Sequence, residues 1–254
     1  YCGTLSIEVR TPKTLKKNFE EFEYLKKLGA DIAIVIAYGQ IIPENFLTLT
    51  KKGFINVHAS LLPKFRGAAP IQRAIMNLNK ETGISIMKIN SKLDEGPVCS
   101  SYSLNINEND NTEVLSEKLS MLAAEKILDD IDKILDDKAI FKEQDNSKAT
   151  YAKKIDKKEA SINWNTPAKN IVANINGLNG AYFFFKGTRY KILEAKTINL
   201  AGKPGEVLSD SLEIGCKEMS LKVLKIQREG KRPQKISEFL LGSQIKKGSF
   251  LANA

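Results

Sequence analysis

The run Ile32-Ala33-Ile34-Val35-Ile36-Ala37 is apolar at every position and rich in β-branched residues. A strand with one wet face alternates in polarity, whereas a strand covered on both faces does not. The run therefore predicts a buried strand of a parallel sheet with helices on either side. Its surroundings agree. Leu15, Phe19, Phe22, Leu25 and Leu28 precede it at helical spacing, between start signals at Thr11 and Pro12 and a stop at Gly29. Short strands are expected over 54–58, 84–89 and 98–104, with a helix over 69–77. A long amphipathic helix opens at Asn111 or Thr112, its apolar side carrying Leu115, Leu119, Leu122, Ile127, Ile131 and Ile134. Alternation of strand and helix on this scale predicts an α/β domain.

The texture changes after Asp136. Residues 138–150 are largely polar and are expected to be a linker. A helix follows, with Thr166 as N-cap, Pro167 at its first position and Ile171, Ile175 and Leu178 in register. Short runs separated by glycine come next, over 182–185, 190–195, 205–208, 212–216 and 221–226, a pattern that predicts a small β-barrel. The expected division is 1–137, a linker at 138–150, and 151–254. Charge divides in the same way. Residues 1–150 carry 20 Lys/Arg against 21 Asp/Glu, a balance of −1, and residues 151–254 carry 19 against 9, a balance of +10, so the whole excess behind the chain's +9 lies in the second part. Such an excess on one part is the electrostatic footprint of a nucleic-acid partner; a merely solvated lysine-rich surface is the plainer alternative. Cys2, Cys99 and Cys216 are far apart, which indicates neither a zinc site nor a disulfide framework and suits a reducing, cytoplasmic compartment. No stretch approaches a membrane span or reads as a signal peptide.

The chemistry-bearing block is Asn56-Val57-His58-Ala59-Ser60-Leu61-Leu62-Pro63-Lys64-Phe65-Arg66-Gly67-Ala68-Ala69-Pro70. Asn56 and His58 share one face of a strand and sit at its carboxyl end, where open α/β sheets bind ligands. The loop after the next strand carries Leu93-Asp94-Glu95-Gly96, which neighbouring strands bring towards His58, the one histidine of the chain. An amide donor, an imidazole and a carboxylate suit attack by an amine on a formyl carbon. The imidazole accepts a proton, the Asn56 amide steadies the oxyanion, and Asp94 accepts a hydrogen bond from His58 that fixes its tautomer. No metal is required. Taken singly, each residue also has a structural reading: a satisfied strand histidine, and a turn aspartate before glycine.

Asn-Val-His-Ala-Ser-Leu-Leu-Pro followed by Leu-Asp-Glu-Gly resembles the signature of the 10-formyltetrahydrofolate-dependent formyltransferases. Within that family, Arg66–Ile75, Glu81–Met87 and Ala37-Tyr38-Gly39 before Ile42-Pro43 are similar to the methionyl-tRNA branch, as is Thr150-Tyr151-Ala152-Lys153-Lys154-Ile155. The resemblance implies Asn56, His58 and Asp94 as catalytic residues and Ser60, Leu61, Leu62 and Pro63 as the folate turn, with 10-formyltetrahydrofolate as co-substrate. It implies a Rossmann-like catalytic domain with a parallel-rich sheet, followed by an OB-like β-barrel that binds initiator Met-tRNA, in a monomeric enzyme. Candidate tRNA-binding side chains are Arg66, Lys153, Lys154, Arg189, Arg228, Lys231 and Arg232. The family pattern also begins with a strand and a glycine-containing loop that this sequence lacks. The chain is therefore expected to start about sixty residues along that pattern, by the size of αβ units, with the first strand region missing. A second departure is Asn176-Gly177-Leu178-Asn179-Gly180-Ala181-Tyr182, where the family has a Pro-Trp-Pro-like segment and flexibility is expected. The alternatives are a formyltransferase or hydrolase for a small acceptor, and an inactive RNA-binding fragment.

Overall fold

The structure, a computed structural model, describes residues 2–243 and 245–253; the Cys2 side chain lies outside what it describes. Four strands form the first sheet in the order β1 (Ala33–Ile36), β2 (Phe54–His58), β3 (Glu81–Lys88) and β4 (Val98–Asn105). β1 and β2 run parallel, with Val35 opposite Asn56. β3 and β4 add antiparallel, Ser85 facing His58 on one side and Ser101 on the other. The connection from Ile89 to Pro97 is shorter than the dozen or so residues a parallel crossover needs, so β4 has to return antiparallel to β3. The α/β sheet is thus mixed. β1 is its edge among the described residues, and Ile34 and Ile36 are exposed, the latter by 59%. Among the described residues, the uniformly apolar run is covered on one face.

Helix α1 (Phe19–Leu28) begins later than Thr11 and Pro12 suggest, because the Asn18 side chain accepts the Glu21 N–H and makes the cap there. Gly29 ends the helix in the left-handed region, as its position predicts. A short helix α2 (Glu44–Leu47) follows β1, and α3 (Pro70–Met76) starts on its proline. Helix α4 (Thr112–Leu135) is capped by the Asn111 side chain. Its Leu115 and Leu119 pack against Val57, Ile75 and Ile84, and Ile134 joins Ile55 and Ile86. Each such buried side chain contributes roughly 1.5–3 kcal/mol. Asp130, buried on this helix, accepts hydrogen bonds from the Ser100 and Tyr102 hydroxyls and so ties α4 to β4.

The segment 138–150 runs along the first sheet. Lys142 exchanges both backbone hydrogen bonds with Val98 on β4. Thr150 N–H reaches the Pro63 carbonyl, Arg66 N–H the Thr150 carbonyl, and Ala152 N–H the Arg66 carbonyl. Helix α5 (Ala168–Gly177) takes Pro167 as its cap position in place of Thr166. Its C-terminal end packs closely on α3: a Cβ at Gly177 would lie 2.7 Å from Met76 Cγ and 3.1 Å from the Gln72 carbonyl. The Gly177 carbonyl also accepts from the Thr112 hydroxyl at 2.7 Å. Glycine here serves close contact, not the flexibility expected of it.

The second sheet has the order β5 (Ala181–Phe185), β6 (Thr188–Ile198), β8 (Ser220–Arg228) and β7 (Glu213–Gly215), with β9 (Gln234–Lys235) on β8 and a short helix α6 (Ile236–Leu240) after it. Single bridges continue the ring: Ile214 to Val207, Glu206 to Phe250, and Ala252 back to Phe184 on β5. The antiparallel sheet thereby closes on itself around Trp164, Phe183, Ile192, Leu221 and Val223. Trp164 is only 1% exposed. No helix among the described residues is long and apolar enough to cross a membrane.

Candidate active site

Strand β2 delivers Asn56 and His58 to one face of the sheet. His58 is 6% exposed. Its Nε2 lies 3.0 Å from the Phe65 carbonyl. A carbonyl oxygen only accepts, so Nε2 is the donor here, and in the neutral tautomer this contact selects the lone pair lies on Nδ1. Nδ1 faces Asp94 Oδ2 at 3.7 Å. That separation exceeds a hydrogen bond, which corrects the expectation that Asp94 fixes the tautomer. Phe65 does so. Its own backbone is positioned by an N–H donated to the Thr150 hydroxyl at 2.8 Å. Asp94 Oδ2 accepts instead from the Gly67 N–H at 2.8 Å. Gly67 has φ of 116°, and a Cβ there would sit 2.9 Å from the Ala152 carbonyl, so glycine is required at this point.

Asp94 arrives by an indirect route. Because β3 is antiparallel to β2, Ile89 leaves the sheet beside Phe54, its N–H bonded to the Phe54 carbonyl. That is the opposite end of β2 from His58, roughly 13 Å away at about 3.3 Å per residue. The loop folds back across the face to close the gap. Gly96 allows this, since a Cβ there would lie 1.8 Å from the Lys88 carbonyl. Asp94 itself takes a φ of 49°.

The turn Ser60–Pro63 is pinned from behind. The Ser60 hydroxyl donates to the Lys64 carbonyl at 2.6 Å, Ser85 donates to the Ser60 carbonyl at 2.8 Å, and the Leu62 N–H donates to the Ser85 hydroxyl at 3.0 Å. Ser60 therefore shapes the turn with its polar atoms engaged, and Leu61, Leu62 and Pro63 present its half-buried apolar surface. Leu62 and Pro63 also border a cleft of about 280 Å³ against β4 and Lys142–Asp145, which His58 and Asp94 do not line.

Arg66 is corrected from the set of candidate tRNA contacts. It is 1% exposed, its guanidinium donates to the Gln144 side-chain oxygen and to Asn146 Oδ1, and it lies 3.4 Å from Glu95 Oε1. No phosphate reaches a side chain so enclosed. Lys153, Lys154, Arg189, Arg228, Lys231 and Arg232 are all exposed. Arg189 borders a larger cleft of about 640 Å³, together with Lys157, Lys158 and Lys191. That cleft also contains Gln72 of α3 and Gly177 of α5, so it lies where the two halves of the chain meet. Three contributors escaped the sequence reading: the Phe65 carbonyl, the Gly67 N–H and Gln144. Only Gly67 had a legible cue, as a glycine inside the catalytic block.

The profile described as formyl transferase matches residues 6–131, and that of the formyl transferase C-terminal domain matches residues 154–244. Methionyl-tRNA formyltransferase of Pelagibacter ubique is 59% identical across 98% of this chain and 81% of its own length. The enzyme of that name from Caldanaerobacter subterraneus subsp. tengcongensis is 40% identical across 96% of this chain and 82% of its own. Among solved structures, an N-formyltransferase from Helicobacter canadensis shares the fold at a TM-score of 0.67 and 18% identity, over 89% of this chain and 81% of that one. HypX from Aquifex aeolicus, solved with tetrahydrofolic acid, does so at 0.67 and 16%, over 92% of this chain and 44% of that one. With both domains matched in order and such identity over nearly all its length, the chain belongs to the methionyl-tRNA formyltransferase family.

Proposed function

We propose that the protein moves the formyl group of 10-formyltetrahydrofolate onto the amino group of methionine carried by initiator tRNA. The observation that carries this reading is a buried imidazole whose Nδ1 faces a carboxylate at 3.7 Å, on the same strand face as an asparagine amide. Neutral His58 accepts the proton of the attacking amine at Nδ1, and the Asp94 carboxylate steadies the positive charge that builds on the ring. The Asn56 side-chain N–H stabilises the oxygen of the tetrahedral intermediate. Attack forms the new C–N bond and gives that intermediate; its collapse restores the carbonyl and breaks the bond to the leaving nitrogen, to which His58 returns its proton. The turn Ser60–Pro63 fits the co-substrate: its polar groups are bonded inward, so Leu61, Leu62 and Pro63 would offer a rigid apolar wall.

The division of labour follows the expected domains. Residues 1–137 carry the reacting side chains, 138–150 connect and also brace the site through Gln144 and Thr150, and 151–254 hold the tRNA through Lys153, Lys154, Arg189, Arg228, Lys231 and Arg232. The acceptor is thereby a tRNA and not a sugar or water, which gives no use to a +10 domain. The enzyme works as a monomer in the cytoplasm. Folate-dependent formylation of Met-tRNA by the chain and its His58→Ala variant tests the reading. The variant is expected to be slower by about 10²–10⁴-fold, and tRNA affinity is expected to fall steeply with salt. Undiminished formylation by His58→Ala, or preference for a sugar amine, would refute it.

A further inference from the structure

The Asp94 loop leaves the sheet at the far end from His58, so something must hold it over the face. Gln144 occupies that place. Its side-chain NH₂ donates to the Asp94 carbonyl at 2.8 Å and to the Gly96 carbonyl at 2.7 Å. Its side-chain oxygen accepts from Arg66 Nε and Nη2 at 3.0 and 2.8 Å. One amide group thus has both its hydrogens and its oxygen committed. It joins the two loops whose meeting defines the site, the one carrying Asp94 and the one carrying Phe65, Arg66 and Gly67. Gln144 is itself anchored two residues after Lys142, whose backbone is paired with β4.

We propose that Gln144 is a positioning residue for formyl transfer, holding the Asp94 loop against the Arg66–Gly67 loop so that the carboxylate stays opposite His58 Nδ1. The inference rests on the role of Asp94 proposed above. It assigns a catalytic consequence to a segment between the two domains, and it identifies the function of the buried Arg66 as a donor that orients the Gln144 amide. Only one orientation of that amide satisfies both sides, because Arg66 needs an acceptor and the two carbonyls need donors.

Gln144→Glu is the sharp test. It keeps the shape and the acceptor for Arg66, while turning a carboxylate towards two carbonyl oxygens. The variant is expected to lose about 10²-fold in kcat, the scale of a misplacement of roughly 1 Å, with KM for folate and tRNA unchanged. Acting through Asp94, it should add little in an Asp94→Asn background: the double variant should be within about threefold of Asp94→Asn alone. Amide hydrogen exchange at Gly67 should quicken about tenfold while the rest of the sheet keeps its protection. If Gln144→Glu lacks a cooperative melt, the same measurements on Gln144→Met replace it. An unchanged kcat, a KM effect only, or multiplicative losses in the double variant would overturn the proposal. An Asp94→Asn chain as fast as its parent would instead strike the proposed role of Asp94, and Gly67 exchange would still report whether Gln144 holds the loop.

Discussion

Replacing Asp94 by asparagine removes one charge and almost no volume, so its cost measures the electrostatic part of the site. In the parent chain Oδ2 is 3.7 Å from His58 Nδ1 and accepts from the Gly67 N–H. Asparagine can place its side-chain oxygen against the same N–H, which preserves the loop. What disappears is the attraction between a carboxylate and an imidazolium. At that distance it is about 4.5 kcal/mol at an effective dielectric constant of 20 and about 1 kcal/mol in bulk water. His58 is well enclosed and Asp94 partly so, with side-chain exposures of 7% and 18%, which places the site between these limits and nearer the first. A loss of roughly 3–4 kcal/mol corresponds to a rate lower by about 10²–10³-fold. The assay is single-turnover formylation with both substrates saturating, which isolates the chemical step from binding. Binding of folate and tRNA should be preserved, since neither depends on this charge. A rate within about threefold of the parent would refute the reasoning, because it would leave the carboxylate less than about 1 kcal/mol of influence on the imidazolium.

The contact between the two halves has a pH signature of its own. Arg73 on α3 forks onto the Glu159 carboxylate, with Nη2 to Oε1 at 2.9 Å, and this pairing, aided by the Asp156 N–H, holds the carboxyl below its ordinary value of 4.5. A carboxylate favoured by the fold stabilises it above that value and ceases to as pH falls through the lowered one. Glu159→Gln should therefore cost about 1 kcal/mol at pH 7 and progressively less below about pH 4, read from urea midpoints; an equal cost at pH 7 and pH 3 would contradict this. Gly67→Ala combines left-sided backbone strain with a Cβ 2.9 Å from the Ala152 carbonyl, so a loss of about 1–3 kcal/mol is expected in the same measurement, together with slower turnover. Burial pushes the Cys216 thiol up to about 12, so native protein at pH 8 should resist alkylation there and react on unfolding.

Much of the catalytic half was legible because its signals are local. Asn111 caps α4, Pro70 opens α3, Gly29 stops α1, and the two-residue period of β2 puts Asn56 beside His58 whatever the rest of the chain does. Strand direction was less accessible. The reading of a parallel-rich sheet led Asp94 to His58 by adjacent strand ends, whereas the loop starts from the opposite end and doubles back. The length of the Ile89–Pro97 connection carried that information, and hydrophobic pattern did not. Arg66 shows the limit of charge counting. An arginine in a basic-looking loop reads as exposed until the acceptors Gln144 and Asn146, distant in sequence, are found around it. Those two residues looked like linker for the same reason: a polar side chain bonded to the protein and one bonded to water are spelled alike. In the barrel, closure depends on single bridges to 206–207 and 250–252, too short to leave any periodicity.

The backbone seam between Pro63–Ala69 and Thr150–Ala152 decides where such an enzyme can be taken apart. A graft that exchanged the C-terminal domain at residue 150 would leave the Arg66 and Pro63 peptide groups without the Thr150 and Ala152 partners they have here. It would also strip Arg73 of the Lys153 carbonyl to which it donates. A workable chimera has to carry 142–154 with the catalytic half, or recruit a donor whose seam has the same geometry. The two domains are in this sense inherited through a shared stretch of main chain, and a drift in one is felt at once by the other.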